Sequence, residues 1–387
     1  MTAKRVIIIG AGIAGLAAAL RLRRSSWEPL VLERAPSRRS GGYAVVFSGI
    51  GHDAAERMGI LPGLQARQVG AFDLAYLRAD GRPRFTVPYA TVRKVLGGGG
   101  MALLRGDIET VLYEAVADQA EIRFGTTITA VRQEAEAVEV TLADGTVERA
   151  ALLVGADGLH STVRALVFGP EAQYRRDLGH MVAAFTLDEL LAGASRRAFT
   201  TVTRVGQTFT VAGLGGGRAA AFFTYGTDDP AAEVDKGPRH ALQQAYGGLT
   251  WAAPELITNM REKDAYFDSV SQIVMDQWSQ GRVVLLGDAA WCVSLFAGYG
   301  SALAVGGADL LGTALDRHPD GIPAALRAWE AGLRPEVIER QAKGRANTGL
   351  HAPRNRLELA LRDFPLRLAA VPPVTRMLTR HLDFHKG

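Results

Sequence analysis

A glycine pattern lies near the N-terminus, between a predicted strand and a predicted helix. Residues 4–9 are rich in β-branched side chains, which is typical of a buried strand, and residues 15–24 have helical character. The six residues between strand and helix form Gly-x-Gly-x-x-Gly: Gly10, Ala11, Gly12, Ile13, Ala14 and Gly15. The first glycine permits a tight turn, the second lets backbone approach a phosphate, and the third lets helix pack closely on strand. The pattern therefore predicts a βαβ unit whose helix N-terminus faces an anion.

A second predicted strand, residues 28–32, ends beside an acidic residue. Glu33 lies at a distance along the chain from the glycines that lets its carboxylate accept hydrogen bonds from a ribose diol. Strand, glycine turn, helix, strand and carboxylate together predict dinucleotide binding. These features leave open whether the dinucleotide is FAD or NAD.

The rest of the chain predicts an α/β fold interrupted by an antiparallel sheet. Thr, Val and Phe alternate in three runs typical of such a sheet, at residues 199–205, 208–214 and 219–225. A buried strand at 282–286 returns to the α/β pattern and leads into a helix near 300–315. We predict a discontinuous Rossmann-like nucleotide-binding domain (1–70, 98–178 and 266–320), an inserted substrate domain (71–97 and 179–265) and C-terminal helices (321–387).

Composition excludes several classes of protein. Hydrophobic residues make up 48% and charged residues 22%, as in ordinary globular proteins. Cys292 is the single cysteine, which excludes a disulfide framework and a cysteine-built zinc site, and the eight histidines show no metal-ligand spacing. The net charge of +4 arises from residues 351–387, where we find no nucleic-acid-binding module and expect a solvated helical face.

The N-terminal segment also resembles a signal peptide, because Lys4 and Arg5 precede an apolar run that ends in alanines. Its glycines fall where the phosphate-binding turn needs them, so we expect an intact cytoplasmic N-terminus. The run is too short to span a bilayer as a helix, and no later run is long enough. We therefore expect no stable membrane insertion.

Two later segments carry motifs of a known family. The sequence GADG at residues 155–158, followed by Ser161 and Arg164, resembles the DG fingerprint of flavoprotein aromatic hydroxylases. The strand at 282–286 and the sequence GDAA at 287–290 resemble their GD fingerprint. With three motifs in this order, the chain resembles the single-component FAD-dependent monooxygenases of the para-hydroxybenzoate hydroxylase fold, including tetracycline-modifying and polyketide-tailoring enzymes. The resemblance covers nearly the whole chain.

The resemblance implies that FAD is the cofactor. Asp288 is expected to bind the ribityl hydroxyls, Asp157 to lie near the pyrophosphate, and Arg105 to reach the phosphates. Arg39 matches a family arginine that contacts adenosine or incoming NADPH, and Arg38 is an equal candidate. The expected cofactor-binding residues are Gly10, Gly12, Ile13, Ala14, Gly15, Glu33, Arg34, Arg39, Arg105, Asp157, Gly287, Asp288, Gly298, Gly300 and Ser301.

The helix that follows residues 298–300 is expected to point its N-terminus at the flavin pyrimidine edge. Relatives carry His-x-x-Pro-Pro and Gly-Gln-Gly-x-Asn in this region, and this chain keeps the glycines without those prolines, the glutamine or the asparagine. That departure leaves open a non-catalytic protein that binds flavin or another ligand.

Aromatic residues of the inserted sheet and of the flavin-side loop are candidates to line a substrate pocket. Because strand side chains alternate, only one face of the sheet can take part. The predicted substrate-binding residues are Phe209, Phe223, Phe296 and Tyr299. An apolar pocket of this kind suits a bulky aromatic or polyketide-like molecule.

The resemblance also implies a reaction. NADPH or NADH would reduce the flavin transiently, and one atom of O2 would be inserted through a flavin C4a-hydroperoxide in a monomer or homodimer. No catalytic side chain is expected, because the cofactor carries the difficult step. Epoxidation, Baeyer–Villiger insertion and an isoprenoid-type flavin reductase remain alternatives.

Overall fold

The described part of the chain forms eighteen strands and fourteen α-helices. This computed structural model describes residues 4–38, 43–95, 100–187, 189–190, 194–195, 197–214, 219–318 and 321–370. The strands are β1 (Lys4–Ile9), β2 (Trp27–Glu33), β3 (Ala44–Phe47), β4 (Asp73–Leu77), β5 (Pro83–Val87), β6 (Met101–Leu104), β7 (Glu121–Phe124), β8 (Ile128–Gln133), β9 (Val138–Leu142), β10 (Val147–Ala150), β11 (Leu152–Gly155), β12 (Arg175–Leu187), β13 (Ala198–Arg204), β14 (Gln207–Gly213), β15 (Ala219–Gly226), β16 (Tyr266–Ile273), β17 (Ser279–Gln280) and β18 (Val283–Leu285). The helices are α1 (Ile13–Arg24), α2 (Ile50–Arg57), α3 (Leu61–Gln65), α4 (Tyr89–Val95), α5 (Arg105–Val116), α6 (Thr162–Val167), α7 (Pro230–Lys236), α8 (Pro238–Tyr246), α9 (Ala253–Asn259), α10 (Asp288–Trp291), α11 (Gly300–Arg317), α12 (Ile322–Ala346), α13 (Thr348–His351) and α14 (Arg356–Ala370).

A six-stranded sheet, in the order β17-β18-β11-β1-β2-β7, forms the first layer. All its neighbouring strands are parallel except β17 and β18. Val6, Ile7 and Ile8 of β1 are fully buried, as expected for a parallel strand covered on both faces. Because β1, β11 and β18 run in the same direction, the loops that follow them meet at one edge of this sheet.

A seven-stranded sheet, in the order β16-β12-β15-β14-β13-β4-β5, forms the second layer. Its pairs are antiparallel except β13 and β4. Helices α8 and α9 cover one face, where Phe209 and Phe223 pack with Tyr246. The opposite face lies toward β6 and the C-terminal segment.

The sheets divide the chain slightly differently from the predicted ranges. β16 was placed with the nucleotide-binding segments, at residues 266–320, but it pairs with β12 in the seven-stranded sheet. β7 and β8 are separate strands, because Gly125 turns with a φ of +68° and its amide donates to the carbonyl of Ala35. α5 begins at Arg105, since the preceding residues form β6, which pairs with β3.

The C-terminal helices fasten the two layers together. α12 packs along α11, and Gln341 on α12 donates to the carbonyl of Ile273 at the end of β16. α14 lies on β5 through an ion pair between Arg84 and the buried Asp363. Residues 371–387 of the predicted C-terminal helices lie outside the described residues. Within the described ranges, no helix combines the length and apolar character needed to cross a membrane.

Replacing Thr200 by valine should stabilise the protein. Thr200 is 2% exposed on the helix-covered face of β13, and its buried hydroxyl has no hydrogen-bond partner within the described part of the chain. Removing an unpaired buried hydroxyl at nearly constant shape is expected to raise the free energy of unfolding by about 1 kcal/mol. Chemical denaturation measures this change.

The adjacent Thr201 is the matched comparison for that substitution. Its hydroxyl lies on the opposite face, 2.9 Å from the hydroxyl of Thr210. The single Thr201→Val substitution should therefore lower stability. Equal effects of the two substitutions would contradict the assignment of the two faces.

Candidate active site

The glycine turn after β1 is fixed by close backbone contacts. Gly10 has a φ of +103°, and a Cβ there would lie 2.5 Å from the carbonyl oxygen of Ala156. A Cβ on Gly15 would overlap the carbonyl oxygen of Gly10. At Gly12 a Cβ would meet only Arg105 Nη2, 4.0 Å away. Packing thus requires glycine at positions 10 and 15. Gly12 leaves its backbone accessible beside the guanidinium of Arg105.

Glu33 stabilises the same glycine turn through hydrogen bonds. Its carboxylate accepts hydrogen bonds from the amides of Ala11 and Ala35, both at 2.8 Å. Arg34 follows it and is exposed. The structure thus places Glu33 at the tip of β2 beside the glycines, as its spacing along the chain indicates.

The two candidate arginines after β2 are Arg38 and Arg39, and the structure describes only Arg38. Arg39 lies outside the described residues. Arg38 donates to the hydroxyl of Thr110 at 2.9 Å, and its guanidinium lies 4.2 Å from the centre of the Tyr113 ring. Arg38 is therefore anchored on α5.

Asp157 caps the short helix α6. One carboxylate oxygen accepts from the hydroxyl of Ser161 at 2.5 Å, and the other accepts from the amides of Thr162 and Val163. Burial raises the pKa of Asp157 despite these hydrogen bonds. Its loop packs directly against the glycine turn at Gly10. The observed role of Asp157 is to hold this loop, and contact with FAD stays a prediction.

Arg164 joins the loops after β11 and β18. Its side chain is fully buried and donates to the carbonyl oxygens of Ala289, at 3.0 Å, and Leu159, at 2.6 Å. Glu171 compensates its charge at 2.8 Å. The arginine of the DG fingerprint thus determines where the GD fingerprint lies.

The loop after β18 presents Asp288 next to the N-terminus of α11. Gly287 has a φ of +67°, and a Cβ there would lie 2.8 Å from the Cβ of Ala14. A Cβ on Gly300, the first residue of α11, would lie 3.9 Å from Asp288 Oδ1. Ser301 follows in the first turn, and Gly298 precedes it in an exposed left-handed conformation. The carboxylate of Asp288 and the N-terminus of α11 thus face the same space.

Arg105 and Asp288 lie in an enclosed cleft. Asp288 is exposed and the Arg105 side chain is 42% exposed, so both reach accessible space. Burial nevertheless raises the pKa of Asp288, and the nearby guanidinium of Arg105 partly opposes that rise. Asp288 has accessible surface, but that surface lies in a cleft walled by protein, so the residue is exposed and its pKa is still raised. Arg105 also pairs with Glu109, 3.4 Å away on the same helix. The cleft therefore offers the guanidinium of Arg105 and the carboxylate of Asp288 to a ligand.

The aromatic wall of this cleft consists of residues that the sequence analysis did not select. Tyr43, which precedes β3, has its ring 5.6 Å from that of Phe222 and 6.5 Å from that of Tyr266. Burial raises the pKa of Tyr43 to about 12, and both Arg105 and Asp288 influence it. Strand alternation places Phe222 and Phe223 on opposite faces, but the local pattern could not show which face meets the cleft.

The predicted substrate residues of the sheet lie on its other face. Phe209 and Phe223 are fully buried and pack with Tyr246 of α8. Their side chains are therefore unavailable to a ligand in the cleft, because the helices cover that face. On β15, Phe222 is the aromatic residue that faces the cleft.

Phe296 and Tyr299 are held by packing in the loop before α11. The Phe296 ring stacks on His351 with centroids 4.4 Å apart, and is 3% exposed. The Tyr299 hydroxyl accepts a hydrogen bond from the amide of Ile50 at 3.2 Å, and Arg340 lies 3.7 Å from its ring centre. Substrate contact by these two residues stays a prediction.

The arrangement fits FAD. Accessible backbone at Gly12 lies beside Arg105, which suits a pyrophosphate. Glu33 at the tip of β2 and Asp288 at the tip of β18 provide carboxylates for hydroxyl groups. These features define a flavin-type dinucleotide-binding fold with an aromatic cleft beside the cofactor position.

Comparison with known proteins identifies the family. Residues 3–324 match the FAD binding domain family, and the chain belongs to it. The predicted FAD-dependent hydroxylase family and α/β fold class are thereby confirmed.

Similar proteins cover most of the chain. An uncharacterised protein of Mycobacterium tuberculosis (strain ATCC 25618 / H37Rv) is 34% identical over 341 residues, which are 85% of this chain and 89% of that protein. A flavin-dependent monooxygenase from an unknown prokaryotic organism is 29% identical over 354 residues, 88% of each chain. The crystal structure of tetracycline destructase Tet(51) superposes with a TM-score of 0.81 at 28% identity, covering 92% of this chain and 94% of that one.

Replacing Arg105 by glutamine should weaken FAD binding. Loss of a charged hydrogen-bond donor to phosphate is expected to raise the dissociation constant about 10- to 100-fold. Titration of the apoprotein with FAD, followed by flavin fluorescence, measures the change. Arg132→Gln, at an exposed arginine on β8, is the control and should bind FAD normally. Equal affinity of both variants would remove Arg105 from the FAD site.

Replacing His351 by phenylalanine should reduce the acid sensitivity of the fold. Burial, followed by the charges of Arg362 and His180, lowers the pKa of His351 to about 4. The unfolded chain binds the proton more readily, so stability is lost as the pH falls from about 6.5 toward 4. Between pH 7 and pH 5 this group should account for about 1–2 kcal/mol.

The test compares the free energy of unfolding of wild type and His351→Phe at the two pH values. Phenylalanine keeps the ring stacked on Phe296 and removes the titrating group. The variant should therefore lose less stability on acidification than wild type. Identical losses would show that His351 does not titrate in this range.

Proposed function

We propose that this protein is an FAD-dependent monooxygenase that takes electrons from NADPH or NADH and inserts one atom of O2 into a bulky aromatic or polyketide-like molecule. The observation that carries the proposal is the cleft, where the accessible charges of Arg105 and Asp288 face the aromatic side chains of Tyr43, Phe222 and Tyr266. One side of the cleft suits a flavin nucleotide, and the other suits a flat apolar ligand.

FAD, when bound, supplies the electron transfer and oxygen chemistry. Gly12 and Arg105 would hold its pyrophosphate. Glu33 would bind the ribose, and Asp288 the ribityl hydroxyls. The N-terminus of α11 at Gly300 would stabilise negative charge on the pyrimidine edge of the flavin.

The residues of the chain prepare the other side of the cleft for substrate. Phe222, with Tyr43 and Tyr266, limits water access and offers ring faces to an aromatic ligand. Burial raises the pKa of both tyrosines, so their hydroxyls stay protonated at neutral pH. Each can therefore donate a hydrogen bond to an oxygen of the substrate.

The similar proteins support this choice of reaction and substrate. One is named a flavin-dependent monooxygenase, and another a tetracycline destructase, whose name refers to a polycyclic molecule. We propose a ligand of comparable bulk for this chain, on the strength of the aromatic cleft wall. The predicted division into FAD-binding, substrate and C-terminal parts remains part of the proposal, with β16 moved to the substrate sheet.

The first experiment is anaerobic mixing of the FAD-loaded protein with NADPH or NADH, with and without polycyclic phenols. We expect the flavin absorption to bleach faster with a suitable phenol, and the product to gain one oxygen atom when air is admitted. A product heavier by two hydrogens would indicate a reductase. FAD-loaded protein that accepts electrons from neither nucleotide, with any ligand, would indicate a non-catalytic binding protein.

A further inference from the structure

A histidine in the loop after β11 connects the two layers of the fold. His160 is half-buried, and its Nε2 lies 2.9 Å from Asp268 Oδ2 on β16 of the seven-stranded sheet. Its Nδ1 lies 3.0 Å from Glu171 Oε1, in the short helical turn that precedes β12. Each ring nitrogen thus faces a carboxylate. We call these three side chains the histidine bridge.

The two carboxylates of the bridge favour the protonated form of the histidine. Only an imidazolium donates hydrogen bonds from both nitrogens, whereas a neutral ring turns one lone pair toward a carboxylate. The hydrogen bond to Asp268 raises the pKa of His160, burial opposes this, and the charge of Glu171 adds to the rise. Tyr266 and Cys292, which also interact with Asp268, stay uncharged at neutral pH because burial raises the pKa of both.

The charged groups in direct contact with the bridge need one more cation. Glu171 contacts Arg164 at 2.8 Å and Arg175 at 3.1 Å, and Arg175 in turn contacts Asp177 at 3.1 Å. With the aspartate of the bridge on β16, three carboxylates thus face two arginines. A protonated His160 supplies the third positive charge.

The bridge holds one half of β16. A register shift in the pairing with β12 divides this strand into residues 266–269 and 271–273. The second half is tied to the first layer independently of the bridge, because the amide of Ile273 donates to the carbonyl of Cys292 at 3.1 Å. Asp268 lies in the first half, so the histidine bridge connects that half to the first layer.

The first half of β16 carries part of the aromatic cleft wall. Tyr266 and Asp268 are two residues apart on one strand, so their side chains point to the same face. The ring of Tyr266 lies 6.5 Å from that of Tyr43. β16 lies at the edge of the described sheet, with β12 as its neighbour on one side. Side-chain contacts such as the bridge therefore contribute to holding Tyr266 in place.

The geometry points to His160 as a positioning residue, an inference that deepens the proposed function and rests on it. Protonated His160 holds the first half of β16 against the loop after β11 and so keeps Tyr266 at the cleft wall. Loss of the proton releases this half of the strand and loosens the wall. The cleft therefore binds its aromatic substrate more tightly when His160 is protonated than when it is neutral.

The direction of the pH dependence follows from the raised pKa of His160. The stabilisation is complete below about pH 6.5, the ordinary value for histidine, and is lost as the pH rises through the raised value in the folded protein. Because the histidine is half-buried, water screens part of the interaction. We expect the local opening equilibrium of residues 266–269 to change about threefold to tenfold.

Hydrogen exchange of the FAD-loaded protein, measured by mass spectrometry on peptides that cover residues 266–269, reports this opening. After correction for the intrinsic pH dependence of exchange, protection should fall about threefold to tenfold between about pH 6 and about pH 9. β14, in the middle of the same sheet, is the internal reference and should keep its protection. Protection of residues 266–269 that stays as constant as that of β14 would overturn the role of the bridge.

Two variants separate the charge of His160 from its bulk. His160→Gln removes the titrating group and should lower protection at about pH 6 to the level that wild type shows at about pH 9. His160→Arg keeps a permanent positive charge with several donors, so protection should stay high at both pH values. A His160→Gln variant with the pH dependence of wild type would assign the transition to another group.

His52→Gln is the matched control. His52 also lies beside a carboxylate, 3.7 Å from Asp53, but it is on α2, which packs on α11. This variant should keep the wild-type pH dependence of residues 266–269. Loss of that dependence in His52→Gln would show that the transition does not belong to the bridge.

Reduction of the flavin by NADPH is measured in parallel, over a range of concentrations of the phenol that accelerates it most. The concentration that gives half the maximal rate should rise with pH in wild type by more than in His160→Arg, while the maximal rates of the two proteins stay similar. Comparison at the same pH removes effects of pH on the phenol itself. Equal rises in both proteins would overturn the link between the bridge and substrate binding.

The two proposals fail in different ways. Protein that is reduced in the presence of a phenol, but whose residues 266–269 show no pH-dependent protection, contradicts the histidine bridge and leaves the proposed function standing. Protein with the expected pH-dependent protection that is never reduced contradicts the proposed function and supports the bridge as a link between the layers.

Discussion

The close approach of two glycines at the start of α1 is the constraint on which the rest of the site depends. The carbonyl oxygen of Gly10 occupies the space that a side chain on residue 15 would need. The turn therefore brings the helix N-terminus directly over the end of β1. Because the same turn packs against Ala156, it also determines where the loop after β11 can lie.

The site is then assembled by polar groups that are remote in sequence. Arg164 reaches from α6 to the carbonyl of Ala289, and Arg105 comes from α5 to the glycine turn. A buried guanidinium whose donors lack acceptors is costly, so the contacts of Arg164 favour one position of these loops. Positioning is thus distributed over three loops, and Arg105 and Asp288 both carry accessible charge.

Much of the nucleotide-binding layer could be predicted from the sequence, because its signals are local. A glycine that must avoid a Cβ clash, a β-branched strand and a carboxylate such as Glu33 all lie within thirty residues. The orientation of side chains in the seven-stranded sheet was harder to predict from the sequence. Alternation shows that Phe222 and Phe223 face opposite ways, but only the distant partners Tyr43 and Tyr246 determine which face is which.

The pairing of strands also could not be predicted from the local sequence. β16 pairs with β12, whose residues lie about ninety positions earlier, and no local pattern in residues 266–273 specifies that partner. The capping role of Asp157 was available from turn chemistry, because an aspartate in a loop commonly accepts hydrogen bonds from nearby backbone amides. The link through Arg164 carried no sequence signal beyond its place in the motif.

The strand order has a consequence for synthesis on the ribosome. β11 pairs on one side with β1, but its other neighbour, β18, is made about 130 residues later. At roughly 5–20 residues per second, the outer edge of β11 stays unpaired for on the order of ten seconds. That edge carries apolar residues such as Leu153 and Val154, which are fully buried in the finished fold. The nascent chain therefore exposes an unpaired apolar strand edge, which can associate with other chains, until residues 283–285 emerge.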